Sequence, residues 1–158
     1  MKNTILFAMT LVSIFALFTA CSKDMCTKKT TISNAQLLEG KNWYLVELNE
    51  YPGISDGKGG MITNIFSLIK DCDKDNFQHY QTDGTLVDDQ GLINCSSIPQ
   101  KTNRSWKLEN NETTIAKGES AESKFQIVSI DEKNLKLKDI VIDKGVIIQT
   151  VYYSYISK

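Results

Sequence analysis

Histidine occurs once in the 158 residues, as His79, and no two of the four cysteines stand in a Cys-x-x-Cys spacing. Structural and catalytic zinc sites draw on several nitrogen or sulfur ligands, so no metal site of that kind is expected. A Ser-His-Asp mechanism would have to recruit His79, and no serine is expected in a nucleophile elbow. Charge of one sign is also missing. The net charge is −1 and the lysines are scattered, which argues against nucleic acid or a polybasic membrane patch as partner. Two prolines and nine glycines are too few and too spread for a long disordered or collagen-like region. Asp71, Asp73 and Asp75 alternate, but a calcium loop of the EF-hand kind needs glycine and glutamate where Asn76 and Thr82 stand. No metal and no cofactor is therefore expected.

The one long apolar run lies at the start. Lys2 precedes Ile5 to Phe18, interrupted only by Thr10 and Ser13. A transmembrane helix needs roughly 20 apolar residues, and this run with its positive start is a secretory leader instead. It ends in Leu17-Phe18-Thr19-Ala20-Cys21, which resembles the bacterial lipobox with Phe18 at a position where leucine is usual. The reading is a signal peptide over residues 1–20, a lipidated Cys21, and a tether over residues 21–35. The alternative is an ordinary secretory peptide cut after Ala20. Two or three acyl chains would anchor such a protein durably, whereas one would not.

Outside the cytoplasm Cys72 and Cys95 make a plausible disulfide across the Asp83-Gly84 hairpin signal. Closing such a loop stabilises a fold by roughly 3 kcal/mol. Cys26 has no clear partner; it is either free or bridged to another chain.

Residues 36–158 form the remaining domain. Ser33 to Gly40 predicts one capped helical turn ended by glycine. Asn42 to Glu50 predicts the first strand, and Tyr51 to Gly60 a loop. Ile62, Ile65, Phe66 and Ile69 recur at helical spacing and predict a short amphipathic helix over 61–70, with a strand as the alternative. Seven further strands follow: Asn76–Thr82, Thr85–Asp89, Arg104–Leu108, Thr113–Ala116, Lys124–Ile130, Leu135–Ile142 and Val146–Ile156. Eight hairpin-linked strands suit an all-β, antiparallel up-and-down barrel, because closure removes the exposed edges of an open sheet.

The same segments carry a likeness. Gly40-Lys41-Asn42-Trp43, Cys72 to Asn76, Tyr80 to Thr85, Asp89-Gln90-Gly91 with Cys95 beyond, Ser105 to Leu108, and Ile127 to Glu132 with Leu135 to Leu137 stand in order over residues 36–156. As a set they resemble the lipocalin-like domain of small lipoproteins common in Bacteroidota. One departure is the spacing of Gly40 and Trp43, where lipocalins have Gly-x-Trp. The resemblance implies an eight-stranded barrel whose end is closed by Trp43, at the outer membrane on either of its faces, without established catalysis.

An eight-stranded barrel either fills with side chains or holds one small ligand. Tyr80, Trp106, Phe125 and Tyr153 are the candidates to line such a cavity, with core packing as the plainer role. Tyr153 shares a strand face with Tyr155, and Tyr152 takes the other. The expected function is binding of a small apolar or amphipathic molecule. The alternative is an envelope module for protein or glycan contacts with a packed barrel, which an apolar patch of Ile62, Phe66 and Ile69 would favour.

Overall fold

The computed structural model describes residues 32–93, 99–118 and 123–158; the leader, Cys21, Cys26 and Cys95 lie outside the described residues. Helix α1 (Asn34–Leu38) has a reciprocal cap. The Ser33 hydroxyl accepts the Gln36 N–H, and the Gln36 side chain accepts the Ser33 N–H. Five residues make a marginal helix alone, and a distant loop holds this one. Glu112 accepts the Asn34 N–H at 2.7 Å, and its carbonyl accepts the Asn34 side-chain amide at 2.8 Å.

Nine strands follow: β1 (Asn42–Ser55), β2 (Met61–Asn64), β3 (Phe77–Tyr80), β4 (Thr85–Asp89), β5 (Lys101–Glu109), β6 (Thr114–Lys117), β7 (Ser123–Ile130), β8 (Asn134–Asp143) and β9 (Val146–Ser157). Each from β3 to β9 pairs antiparallel with the next, and β1 pairs with both β3 and β9. Eight strands thus close a ring, and β2 lies outside it along the far half of β1. The expected up-and-down barrel is the observed fold.

The seam between β1 and β3 is short. It holds only the pairs Asn42–His79, Trp43–Gln78 and Tyr44–Phe77, after which β1 turns to β2. On its other edge β1 pairs with β9 from Trp43 to Tyr51. The short turns Ile65–Leu68 and Asp71–Asp73 connect β2 to β3.

This region departs from the sequence expectation. Tyr51 to Ser55 continues β1 where a loop is expected, and the helix expected over 61–70 is strand β2 followed by a 3₁₀ turn. Ile62, Thr63 and Ile65 are β-branched and poor helix formers. The extended end of β1 also leaves an edge, which β2 covers. Pro52 lacks a donor and falls where the β1–β2 register shifts, between Asn49 and Ile54.

The first hairpin also differs in detail. Asp83-Gly84 closes a three-residue loop, with the Gly84 N–H bonded to the Gln81 carbonyl and Gly84 at φ +84. A turn followed by a left-handed glycine is the usual three-residue hairpin. Gly91 serves close approach: a Cβ there would lie 2.5 Å from the Asp75 carboxyl carbon. That carboxylate accepts the N–H groups of Leu92 and Ile93 and so holds the start of the β4–β5 connection.

The core fills the helix end of the barrel. Leu38, Trp43, Tyr80, Leu86, Ile115, Leu135 and Leu137 are fully buried, with Trp106 and Tyr155 nearly so. Trp43 plugs this end, as the resemblance implies, and its indole N–H donates to the Leu38 carbonyl at 2.8 Å.

Candidate functional site

Strand alternation makes the other half of the interior polar. Residues two apart on a strand share a face, so Gln78 faces inward with Tyr80, Asp88 with Leu86, Arg104 with Trp106, and Lys117 with Ile115. Cross-strand register agrees, since Gln78 is opposite Asp88 and Leu86 is opposite Arg104. In all four strands the polar residue lies on the side away from helix α1.

These side chains form one chain of hydrogen bonds. The Lys117 ammonium donates to Gln78 Oε1 at 2.8 Å, and the Tyr80 hydroxyl donates to the same oxygen at 3.0 Å. Gln78 Nε2 donates to Asp88 Oδ1 at 2.9 Å. Arg104 grips Asp88 Oδ2 through Nε at 2.7 Å and Nη2 at 2.6 Å. The inner end of this chain is dry and its outer end is wet: Lys117 is 3% exposed, whereas the Arg104 side chain is 40% exposed.

Around Lys117 stand three aromatic rings. Its nitrogen lies 4.5 Å from the Phe125 ring centre, 5.4 Å from that of Tyr80 and 6.0 Å from that of Tyr155. Ring faces attract a cation, but burial penalises the charged form more. It pushes the amine down to about 7, with Asp88 raising it and Arg104 lowering it further. Burial also raises the hydroxyls of Tyr80 and Tyr155 above the ordinary phenol range.

A cavity of about 240 Å³ opens beside this array, where β1 and β3 part. Trp43, Leu45, Ile69 and Tyr155 line it together with three carboxylates, Asp73, Asp88 and Asp89. Its walls are apolar on the β1 and β9 side and hydrogen-bonding on the β3 and β4 side. That is the composition of a small-ligand site, although its volume is below the roughly 300–1,000 Å³ usual for such pockets.

The four candidates from the sequence all face the interior, in two contacting pairs. Tyr80 meets Trp106 edge-on at 5.2 Å, and Phe125 meets Tyr153 edge-on at 5.5 Å. None of the four lines the 240 Å³ cavity; Tyr80 and Phe125 reach it indirectly, as walls of the Lys117 cage. Tyr155 and Tyr153 share the inner face, while Tyr152 lies outside against Tyr51. Lys117, Gln78, Asp88 and Arg104 are the functional candidates that sequence reasoning did not single out.

Other expectations fall outside the barrel lumen. Asp89, on the opposite face of β4 from Asp88, is held by Gln100 and Lys101. His79 is on the outer face, its Nδ1 2.8 Å from Asn42 Oδ1. Gly53-Ile54-Ser55-Asp56-Gly57 does spell Gly-x-Ser-x-Gly, contrary to expectation. Ser55 nevertheless ends a strand that turns into another strand, and its hydroxyl accepts the Gly57 N–H. A nucleophile elbow leads from strand to helix. Among the described residues no group of three acidic, cysteine or histidine side chains is placed to hold a metal. Cys72 is disulfide-bonded; its expected partner, Cys95, lies outside the described residues. Ile62, Phe66 and Ile69 are half-buried and form no exposed patch.

The sequence matches no protein-family model and no curated protein. Among solved structures, a deswapped triple mutant of bovine odorant binding protein is similar at 13% identity, over 77% of this chain and 74% of that one, with a TM-score of 0.43.

Proposed function

We propose that this protein is a non-enzymatic, membrane-tethered binding protein that holds one small amphipathic molecule in its barrel. The observation that carries the reading is the divided interior: a dry aromatic plug at one end, and beyond it a cavity with one apolar and one hydrogen-bonding wall. A packed barrel of purely structural purpose gains nothing from burying Lys117, because an apolar side chain of that size fills the space without the desolvation cost.

Binding is read by tryptophan emission, since Trp43 borders the cavity. Titration with short-chain amphiphiles is expected to give a saturable change at one molecule per barrel. Haem and sterols, too large for 240 Å³, are expected to give none. The absence of saturable change with every amphiphile would sink the reading. It would favour the envelope interaction module, for which the β8–β9 hairpin offers a surface: Ile142, Val146 and Ile147 are 61%, 65% and 59% exposed at its tip.

The tether rests on the leader and on Cys21, and it places the barrel at the outer membrane of a bacterial envelope. Labelled palmitate is expected to enter the wild-type chain, and Cys21→Ser is expected to abolish both labelling and membrane fractionation. Equal membrane retention of the variant would remove the tether from the reading. The pairing of Cys72 with Cys95 belongs to the same proposal, as a bond suited to that oxidising compartment.

A further inference from the structure

We propose that the Lys117 ammonium anchors an anionic headgroup, so that the barrel selects carboxylate-headed amphiphiles over their uncharged analogues. The inference rests on the small-amphiphile reading above and adds the charge of the headgroup to it.

A lysine ammonium carries three N–H donors. Among the described residues, one acceptor meets Lys117, the amide oxygen of Gln78. The rings of Phe125, Tyr80 and Tyr155 face the nitrogen but offer no full hydrogen bond. The nearest acid is already engaged. Asp88 is gripped twice by Arg104 and accepts a third bond from Gln78, and no carboxylate lies within ion-pair distance of Lys117 among the described residues.

Lys117 and Arg104 are the two cations nearest Asp88; the other carboxylates at the cavity are Asp89, which pairs with Lys101, and Asp73. Glu50 and Asp139 also face inward, opposite Val151 in the pairings of β9 with β1 and β8. They lie nearer the rim and act on Tyr153, whereas the charges that act on Lys117 are those of Asp88 and Arg104. A carboxylate arriving at Lys117 supplies acceptors for the two N–H donors that Gln78 leaves unfilled. In a dry cage such a charge-assisted bond is stronger than a neutral one.

Access runs through the cavity. Gln78 and Tyr155 line it, and both also touch the surroundings of the Lys117 nitrogen. The amine is thus one side chain behind the cavity wall. Gln78 bridges the two: its amide oxygen holds the Lys117 ammonium, and rotation of that amide presents the ammonium to the ligand. The apolar wall of Leu45 and Ile69 is left for the ligand's tail.

The test compares octanoate with octan-1-ol by calorimetry on the full chain at pH 6, below micelle-forming concentrations. Wild-type protein is expected to bind octanoate at least tenfold more tightly than octan-1-ol. Lys117→Met is expected to erase that preference, lowering octanoate affinity to that of octan-1-ol. The ¹⁵N signal of the Lys117 side chain, followed in the wild type, gives a readout that needs no variant; it should move with octanoate and stay still with octan-1-ol. Equal affinities in the wild type, a preference that survives in Lys117→Met, or an unmoved Lys117 signal at saturating octanoate overturns the inference and leaves the amphiphile reading intact. Binding of neither probe overturns both.

Discussion

Lys117→Met is expected to stabilise the ligand-free barrel, by on the order of 2–4 kcal/mol at pH 6, measured as a rise in urea midpoint at unchanged slope. Methionine matches lysine in length, packs well against aromatic rings, and carries no charge to desolvate. Gln78 Oε1 keeps a donor in the variant, because the Tyr80 hydroxyl also bonds it. The gain has a defined pH dependence. The folded amine titrates near 7 and the unfolded one near 10.5. Between those values the unfolded chain binds more protons, so wild-type stability rises with pH across that window. The variant lacks this contribution. Its advantage is therefore full below about pH 7 and shrinks as pH approaches 10.5. The buried Tyr80 and Tyr155 act oppositely in alkali, since their raised folded values cost stability as the unfolded phenols ionise, but both proteins share them. A pH-independent gain would mean that Lys117 is not buried as a charge. A gain in stability coupled to a loss of octanoate binding is the signature of a residue kept for function.

Trp43→Ala is expected to have the opposite effect and the largest one, a loss of about 3–5 kcal/mol. Whole domains of this size are stable by only about 5–15 kcal/mol, so the variant should be partly unfolded at physiological temperature. The cost has two separable parts. One is the void left in the plug among Leu38, Leu86 and Leu135. The other is the Leu38 carbonyl, which loses the indole N–H. Trp43→Phe keeps most of the volume and isolates the second part, expected at about 1–3 kcal/mol. Chemical denaturation followed by circular dichroism measures both. If Trp43→Ala unfolds at the wild-type midpoint, the helix end is not the barrel's structural anchor.

The cylinder was legible in the sequence because turns and alternation say where strands begin and which way they face. Asp83-Gly84, Asn110-Asn111, Asp131 to Lys133 and Asp143 to Gly145 each separate two segments rich in branched and aromatic residues, and each is a turn in the structure. The Ile62 to Ile69 segment misled because its spacing fits a helix, while its β-branched residues and the uncovered edge of β1 favour pairing. That edge is a tertiary fact, invisible along the chain. The polar array escaped for a related reason. Lys117 sits at the end of Ile115-Ala116-Lys117 and resembles a charge at a strand terminus. Gln78, Asp88 and Arg104 lie on three different strands, and only their register brings them together. A signal was present nonetheless: in each strand the polar residue stands two positions from Tyr80, Leu86, Trp106 or Ile115, hence on the buried side.

Three residue pairs join β1 to β3, against more than twice that number between β1 and β9. A ring yields first at its weakest joint. When thermal motion works on this barrel, the opening it makes runs sideways along that joint, beside the cavity and under the cover of the β2–β3 crossing. Entry to the interior is then a matter of parting a few backbone bonds in the wall, and traffic past the charged rim is not its sole route.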